Sequence, residues 1–182
     1  MLNRRPGSSV QPQTGIRLVA CRYAIAVILA GFVGAGWAVS AQGVTEPNGP
    51  QAVLPEETLV IVGVHGVRHV FHVEVARTPQ QQTTGLMFRK DVPPESGMLF
   101  VWGHPIESQM WMKNTLVPLD MVFIDAAGSV SRIVENTVPQ SLAIIASRGP
   151  VVATLELRGG ITSKLGIVVG DHVLCRALGT MP

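Results

Sequence analysis

Hydrophobic positions along this chain fall into two regimes. From Tyr23 to Val39 they run on without a charged residue, whereas beyond Pro55 they come in short bursts broken by glycine, proline and small polar side chains. Bursts of about four to eight apolar or β-branched residues between turn formers are the pattern of strands. Leu59–Val64 and Val67–Ala76 read as a hairpin around His65-Gly66. In the second run Val67, Phe71 and Val73 hold no single parity, which predicts burial on both sides or a bulge. Thr78-Pro79-Gln80-Gln81 opens a helix, with Thr78 as N-cap, Pro79 at the first helical position and Gln81 reaching back to the cap. The helix is expected to run to Phe88, although Thr83, Thr84 and Gly85 weaken it.

Further strands are expected at Met98–Trp102, Ser108–Met112, Met121–Asp125, Val130–Val134 and Val151–Leu157, with turns at His104-Pro105 and from Asp125 to Gly128. Leu142–Ile145 suits either a strand or a helical turn. Ile161–Leu165 reads as one helical turn stopped by Gly166, and Gly170-Asp171 as a hairpin turn between Ile167–Val169 and His172–Leu174. The sum is mainly β (β-rich α+β): a compact antiparallel barrel or sandwich of about eight short strands with one or two short helices. No strand–helix–strand alternation is visible.

The uncharged run near the start changes the picture of location. Arg4, Arg5, Arg17 and Arg22 precede it and Val39-Ser40-Ala41 follows it, so residues 1–41 read as a signal peptide or an N-terminal membrane anchor. The run is at the short limit for crossing roughly 30 Å of hydrocarbon, and Gly31, Gly34 and Gly36 weaken it as a permanent helix. Leu18-Val19-Ala20-Cys21 precedes the apolar run instead of following it, so it is no lipoprotein box, and Arg4-Arg5 lacks the flanks of a twin-arginine signal. Residues 42–55, with Pro47, Gly49, Pro50 and Pro55, read as a flexible linker, and residues 56–178 as a single β-rich domain. The expected location is periplasmic or secreted, or held at the cytoplasmic membrane through residues 23–39.

Removing the leader also reverses the charge. Four of the 14 Lys+Arg lie in residues 1–41 and none of the 12 Asp+Glu does, which leaves 10 − 12 = −2. Without a basic stripe interleaved with aromatics, nucleic acid is not expected as a partner. Of the two cysteines, Cys21 lies in the leader and Cys175 stands alone. A disulfide within the mature chain is therefore excluded.

Candidate chemistry centres on Trp111-Met112-Lys113-Asn114-Thr115-Leu116-Val117-Pro118-Leu119-Asp120, where two opposite charges sit among large apolar residues. A buried charge costs several kcal/mol unless it is compensated. Arg89, Lys113, Asn114, Asp120 and Glu156, with Glu74 beside them, are the candidate ligand-binding residues. One use of the set is structural: Lys113 faces Asp120, and Asn114 holds the loop from Asn114 to Pro118. The other is a polar cleft in which Arg89 and Lys113 hold an anionic group while Asp120 and Glu156 orient it. Lys113 as a catalytic base is disfavoured by its own partner, since a nearby carboxylate raises a lysine pKa.

Five of the seven methionines (Met87, Met98, Met110, Met112 and Met121) could bind Cu(I) with His104. Their Leu, Phe and Trp neighbours make them core filler instead. His65, His69 and His72 do not converge as ligands on an extended strand, so no metal and no cofactor is expected. The G-x-S-x-G, H-E-x-x-H, C-x-x-C and phosphate-loop patterns are missing.

Phe71-x-Val73-Glu74-x-Ala76-x-Thr78, Gly85-Leu86-Met87-x-Arg89, Gly97-Met98-Leu99-Phe100, the Trp111–Asp120 decapeptide, Leu155-Glu156-Leu157 and Gly166-x-x-x-Gly170-Asp171 occur in this order. In these motifs the chain resembles the domain-of-unknown-function 192 family, small single-domain proteins of bacteria and archaea that are often exported. The resemblance covers nearly all of the folded part. It implies a compact, mostly β fold with short helices, and no established activity. The function expected is an exported cell-envelope domain binding a small ligand, an anionic one included, or an envelope protein through a polar cleft around Lys113 and Asp120. An enzyme using Lys113, Asp120 and Glu156 as acid and base, and a purely structural accessory domain, are the alternatives.

Overall fold

The structure, a computed structural model, describes residues 43–181. The expected leader or anchor, residues 1–41, lies outside the described residues.

Seven strands and two short helices follow one another. In chain order they are β1 (Glu56–Val62), β2 (Arg68–Ala76), α1 (Pro79–Thr84), β3 (Ser96–Met110), β4 (Leu119–Ile124), β5 (Val130–Val134), β6 (Ile145–Arg158), α2 (Ile161–Leu165) and β7 (His172–Cys175). All seven strands form one curled, mixed sheet in the order β5-β4-β6-β3-β2-β1-β7. A bridge between Ser129 and His172 brings β7 round to the start of β5. It is reinforced by Val130 N donating to Asp171 O at 2.8 Å and Val173 N to Gly128 O at 2.8 Å. The fold is mainly β, as the spacing of turn signals predicts.

Alternation along the strands gives the sheet two apolar faces. Leu59, Ile61, Phe71, Val73, Leu99, Val122, Leu155 and Leu157 fill the first. Met98, Phe100, Met112, Leu119, Met121 and Phe123 fill the second, with Leu86 and Val92 from the segment after α1 packed over them. Adjacent residues such as Asp120 and Met121 therefore serve opposite faces, because successive side chains on a strand alternate.

Four expectations are corrected. Met98–Trp102 and Ser108–Met112 are one strand, β3, and His104-Pro105 is not a reversal. The register with β6 jumps between Val101 and Ile106, so Trp102 to Pro105 form a bulge in a continuous ladder. Ile167–Val169 does not form a strand and Leu142–Ile144 is loop, so seven strands stand where about eight were expected. Helix α1 ends at Thr84, not Phe88, because Gly85 takes φ 49° and breaks it. Finally, β2 pairs parallel with β3, with Glu74 opposite Met98. The crossover between them is α1, a strand–helix–strand unit too short to show in the periodicity.

Candidate functional site

Helix α1 is the roof of the site, and its sequence fixes it locally. The Thr78 side chain accepts from Gln81 N at 3.3 Å, and Gln81 Oε1 accepts from Thr78 N at 3.0 Å, the reciprocal cap expected from the sequence. Gln82 Nε2 donates to Val101 O at 2.8 Å and pins the helix to β3. At its end, a Cβ on Gly85 would stand 3.0 Å from Phe100 Cζ, so glycine lets the chain pass directly over that ring. Gln51 Nε2 donates to Gly85 O at 2.9 Å, which ties the segment before β1 to the same helix.

Beneath the roof lies a pocket of about 310 Å³. Its walls include Gln82, Thr84, Phe100, Trp102 and Trp111, and Glu156 lies at its floor. Phe100 and Trp102 are stacked with centroids 5.9 Å apart, and Trp102 Nε1 donates to Thr154 Oγ1 at 3.3 Å. Trp111 remains 41% exposed at the opening.

Glu156 reaches this place through strand register. It pairs with Met98 on β3 and Met121 on β4, and Met98 in turn pairs with Glu74 on β2, so the four side chains form a row on one face. Glu74 is compensated: its Oε2 accepts from Arg89 Nη2 at 3.0 Å and from Leu54 N at 2.8 Å. Glu156 is not. It is 4% exposed, and among the described residues no cation or hydrogen-bond donor meets its carboxyl. Burial alone pushes its pKa up from 4.5 to about 8.

The other candidates do not form one cleft with it. Lys113 does not face Asp120. Its ammonium pairs with Glu46 of the preceding segment and lies 5.3 Å from the centroid of the Trp111 ring. Asp120 is sealed on the opposite face of the sheet from Glu156, where it pairs in register with Leu157. One of its oxygens accepts from Asn136 N and Gly160 N, each at 2.8 Å. The other accepts from Thr162 N at 2.9 Å and Thr162 Oγ1 at 2.7 Å. Gly160 begins α2 without a side-chain cap, and Asp120 supplies the capping carboxylate from another strand. Four donors compensate a buried anion without any cation, which is why the pairing argument failed.

Arg89 binds Glu74, and its Nε is buried without a hydrogen-bond partner among the described residues. Asn114 adopts φ 55°. Its carbonyl accepts from Phe88 N at 2.8 Å, joining the Trp111–Asp120 segment to the turn after α1. Met98, Met110, Met112 and Met121 are buried in the second core, and Met87 is buried and lines the pocket. His104 lies exposed on the β3 bulge. Cys175 is buried, and burial pushes its thiol pKa up.

Sequence reasoning found Glu156 but missed its walls. Phe100, Trp102, Trp111, Gln82 and Thr84 carry no charge and read as core or as a weak helix. The usable signal was the pair Thr154 and Glu156, two polar residues of one parity in an otherwise apolar strand.

A family model described as "Uncharacterized ACR" matches residues 60–175. The chain belongs to the domain-of-unknown-function 192 family. Among solved structures it is similar to one from Sinorhizobium meliloti, described as a candidate transcription regulator, with 41% identity, TM-score 0.68, and coverage of 70% of this chain and 98% of that one. It is also similar to a protein of unknown function from Novosphingobium aromaticivorans, with 37% identity, TM-score 0.65, and coverage of 71% and 94%. No curated protein matches. In this chain the pocket beneath α1 takes Gly85 and Met87 from the GLM-x-R motif, Phe100 from the Gly97–Phe100 motif and Glu156 from Leu155-Glu156-Leu157.

Proposed function

We propose that this family member is an exported cell-envelope domain that binds a small molecule in the pocket beneath α1. Glu156 carries the proposal. A buried carboxyl without a partner costs several kcal/mol that an apolar residue would not. Folds retain such a cost where the group meets something that arrives later. The pocket volume of about 310 Å³ falls at the lower end of the roughly 300–1,000 Å³ found for small-ligand sites. Arg89, Lys113 and Asn114 then act around the pocket: Asn114 fixes the turn after α1, Lys113 sits beside Trp111 and Arg89 holds Glu74, while Asp120 serves the opposite face.

Binding is preferred over catalysis because Glu156 is the one ionisable side chain lining the pocket among the described residues. Acid–base chemistry there would need a second such group. Among the described residues, the regulator description of the Sinorhizobium relative finds no helix of recognition length. Helices α1 and α2 hold six and five residues, too short to fill a major groove.

The test is native mass spectrometry of the full chain isolated from its own host. The expected result is a small molecule retained by the parent and lost from Trp111→Ala. A bare chain in both would overturn the proposal.

A further inference from the structure

We propose that the ligand of this pocket is an organic cation, whose ammonium meets the Glu156 carboxyl and whose apolar body lies against Phe100, Trp102 and Trp111. The inference rests on the pocket as a binding site and adds the charge of what binds. Three features of the walls point the same way. No lysine, arginine or histidine lines the pocket among the described residues, so Glu156 faces no internal counter-ion. Phe100, Trp102 and Trp111 all line it, and the quadrupole of an aromatic ring attracts cations to its face and repels anions. Gln82, which lines the pocket, commits its amide nitrogen to Val101 O and Ala76 O, so its side-chain oxygen is the polar atom left available, as an acceptor. An acidic floor, aromatic walls and a free acceptor form a negative receptacle. An anion would find only the neutral donors of Thr83, Gln109 and Trp111 there, and no cation.

Lys113 shows the attraction at work. Its ammonium lies 5.3 Å from the Trp111 centroid, and Glu46 neutralises it from outside the pocket. Of the elements around Glu156, β2 brings Glu74 together with its partner Arg89 and the Trp111–Asp120 segment brings Lys113 with Glu46. The facing residues of α1, β3 and β4 carry no titratable group. Glu156 is thus the uncompensated member of the set.

Binding carries a proton balance. The free carboxyl is mostly protonated at neutral pH. An arriving ammonium stabilises the carboxylate, and the carboxyl proton leaves to solvent. Affinity therefore rises with pH until Glu156 is ionised in the free protein.

Titration calorimetry of the full chain with benzylammonium, benzyl alcohol and benzoate tests this. Benzylammonium is expected to bind about tenfold or more tighter than benzyl alcohol, benzoate weakest, with about one proton released per ligand at neutral pH. Glu156→Gln keeps the shape and should erase both the preference and the proton release, whereas Trp111→Leu should weaken benzylammonium and benzyl alcohol alike. Equal affinity for benzylammonium and benzyl alcohol, or a preference for benzoate, overturns the cation assignment and leaves the pocket a binding site. Failure of all three probes to bind a folded parent that also carries no ligand from its host overturns the pocket reading as well.

Discussion

Two carboxylates, each nearly or wholly enclosed, solve burial in opposite ways. Asp120 is 0% exposed and is held by four donors from Asn136, Gly160 and Thr162. Asp120→Asn turns an acceptor toward donors into a donor facing donors, and should destabilise the fold by about 3 kcal/mol in urea unfolding. Lys113→Met should cost less than about 1 kcal/mol, because its partner Glu46 is 66% exposed. Equal losses in the two variants would restore a Lys113–Asp120 pair. Glu156 has no such compensation. Its pKa rises in the folded state from 4.5 to about 8, so the native protein holds a proton that the unfolded chain gives up. Stability should then fall as pH rises between those two values. Glu156→Gln should flatten that slope, match the parent below pH ~4.5 and exceed it above pH ~8 by up to about 5 kcal/mol. A parent whose urea midpoint is level across the window would contradict this.

At the scale of elements, the local signals that proved sufficient were stereochemical. Thr78, Pro79 and Gln81 specify the start of α1, and Gly166 specifies the end of α2, because caps depend on a few adjacent atoms. Thr78→Ala should cost about 1 kcal/mol in urea unfolding. It should also weaken retention of any pocket ligand, since α1 is the roof. What the sequence hid were decisions made across the sheet. His104-Pro105 has turn chemistry, yet β6 runs past it and converts a reversal into a bulge. The parallel pairing of β2 with β3 depends on a crossover whose helix is only six residues long. Periodicity does not register a helix that short.

For the whole molecule, legibility divided along the same line. The mainly β class was readable from turn spacing, and Glu74 was readable as a neighbour of the charged set, but its pairing with Arg89 was not. The site was half legible: Glu156 stood out as a charge in an apolar strand, but its chamber is assembled from uncharged residues of α1, β3 and the Trp111–Asp120 segment. The expected partnership of Lys113 with Asp120 failed for a geometric reason. Leu119 to Ile124 alternates between two cores, so Asp120 turns to the face opposite Glu156 while Lys113 stays outside with Glu46. The sheet thus splits one cluster of charged residues in sequence into three environments. In this arrangement the second face, roofed by α1, carries the pocket that holds Glu156.

The most direct test follows the Glu156 carboxyl carbon by NMR through a pH titration, alone and with saturating benzylammonium. An apparent pKa near 8 in the free protein that drops when the cation binds is the predicted result. An ordinary carboxylate titration that ignores the ligand would contradict the account.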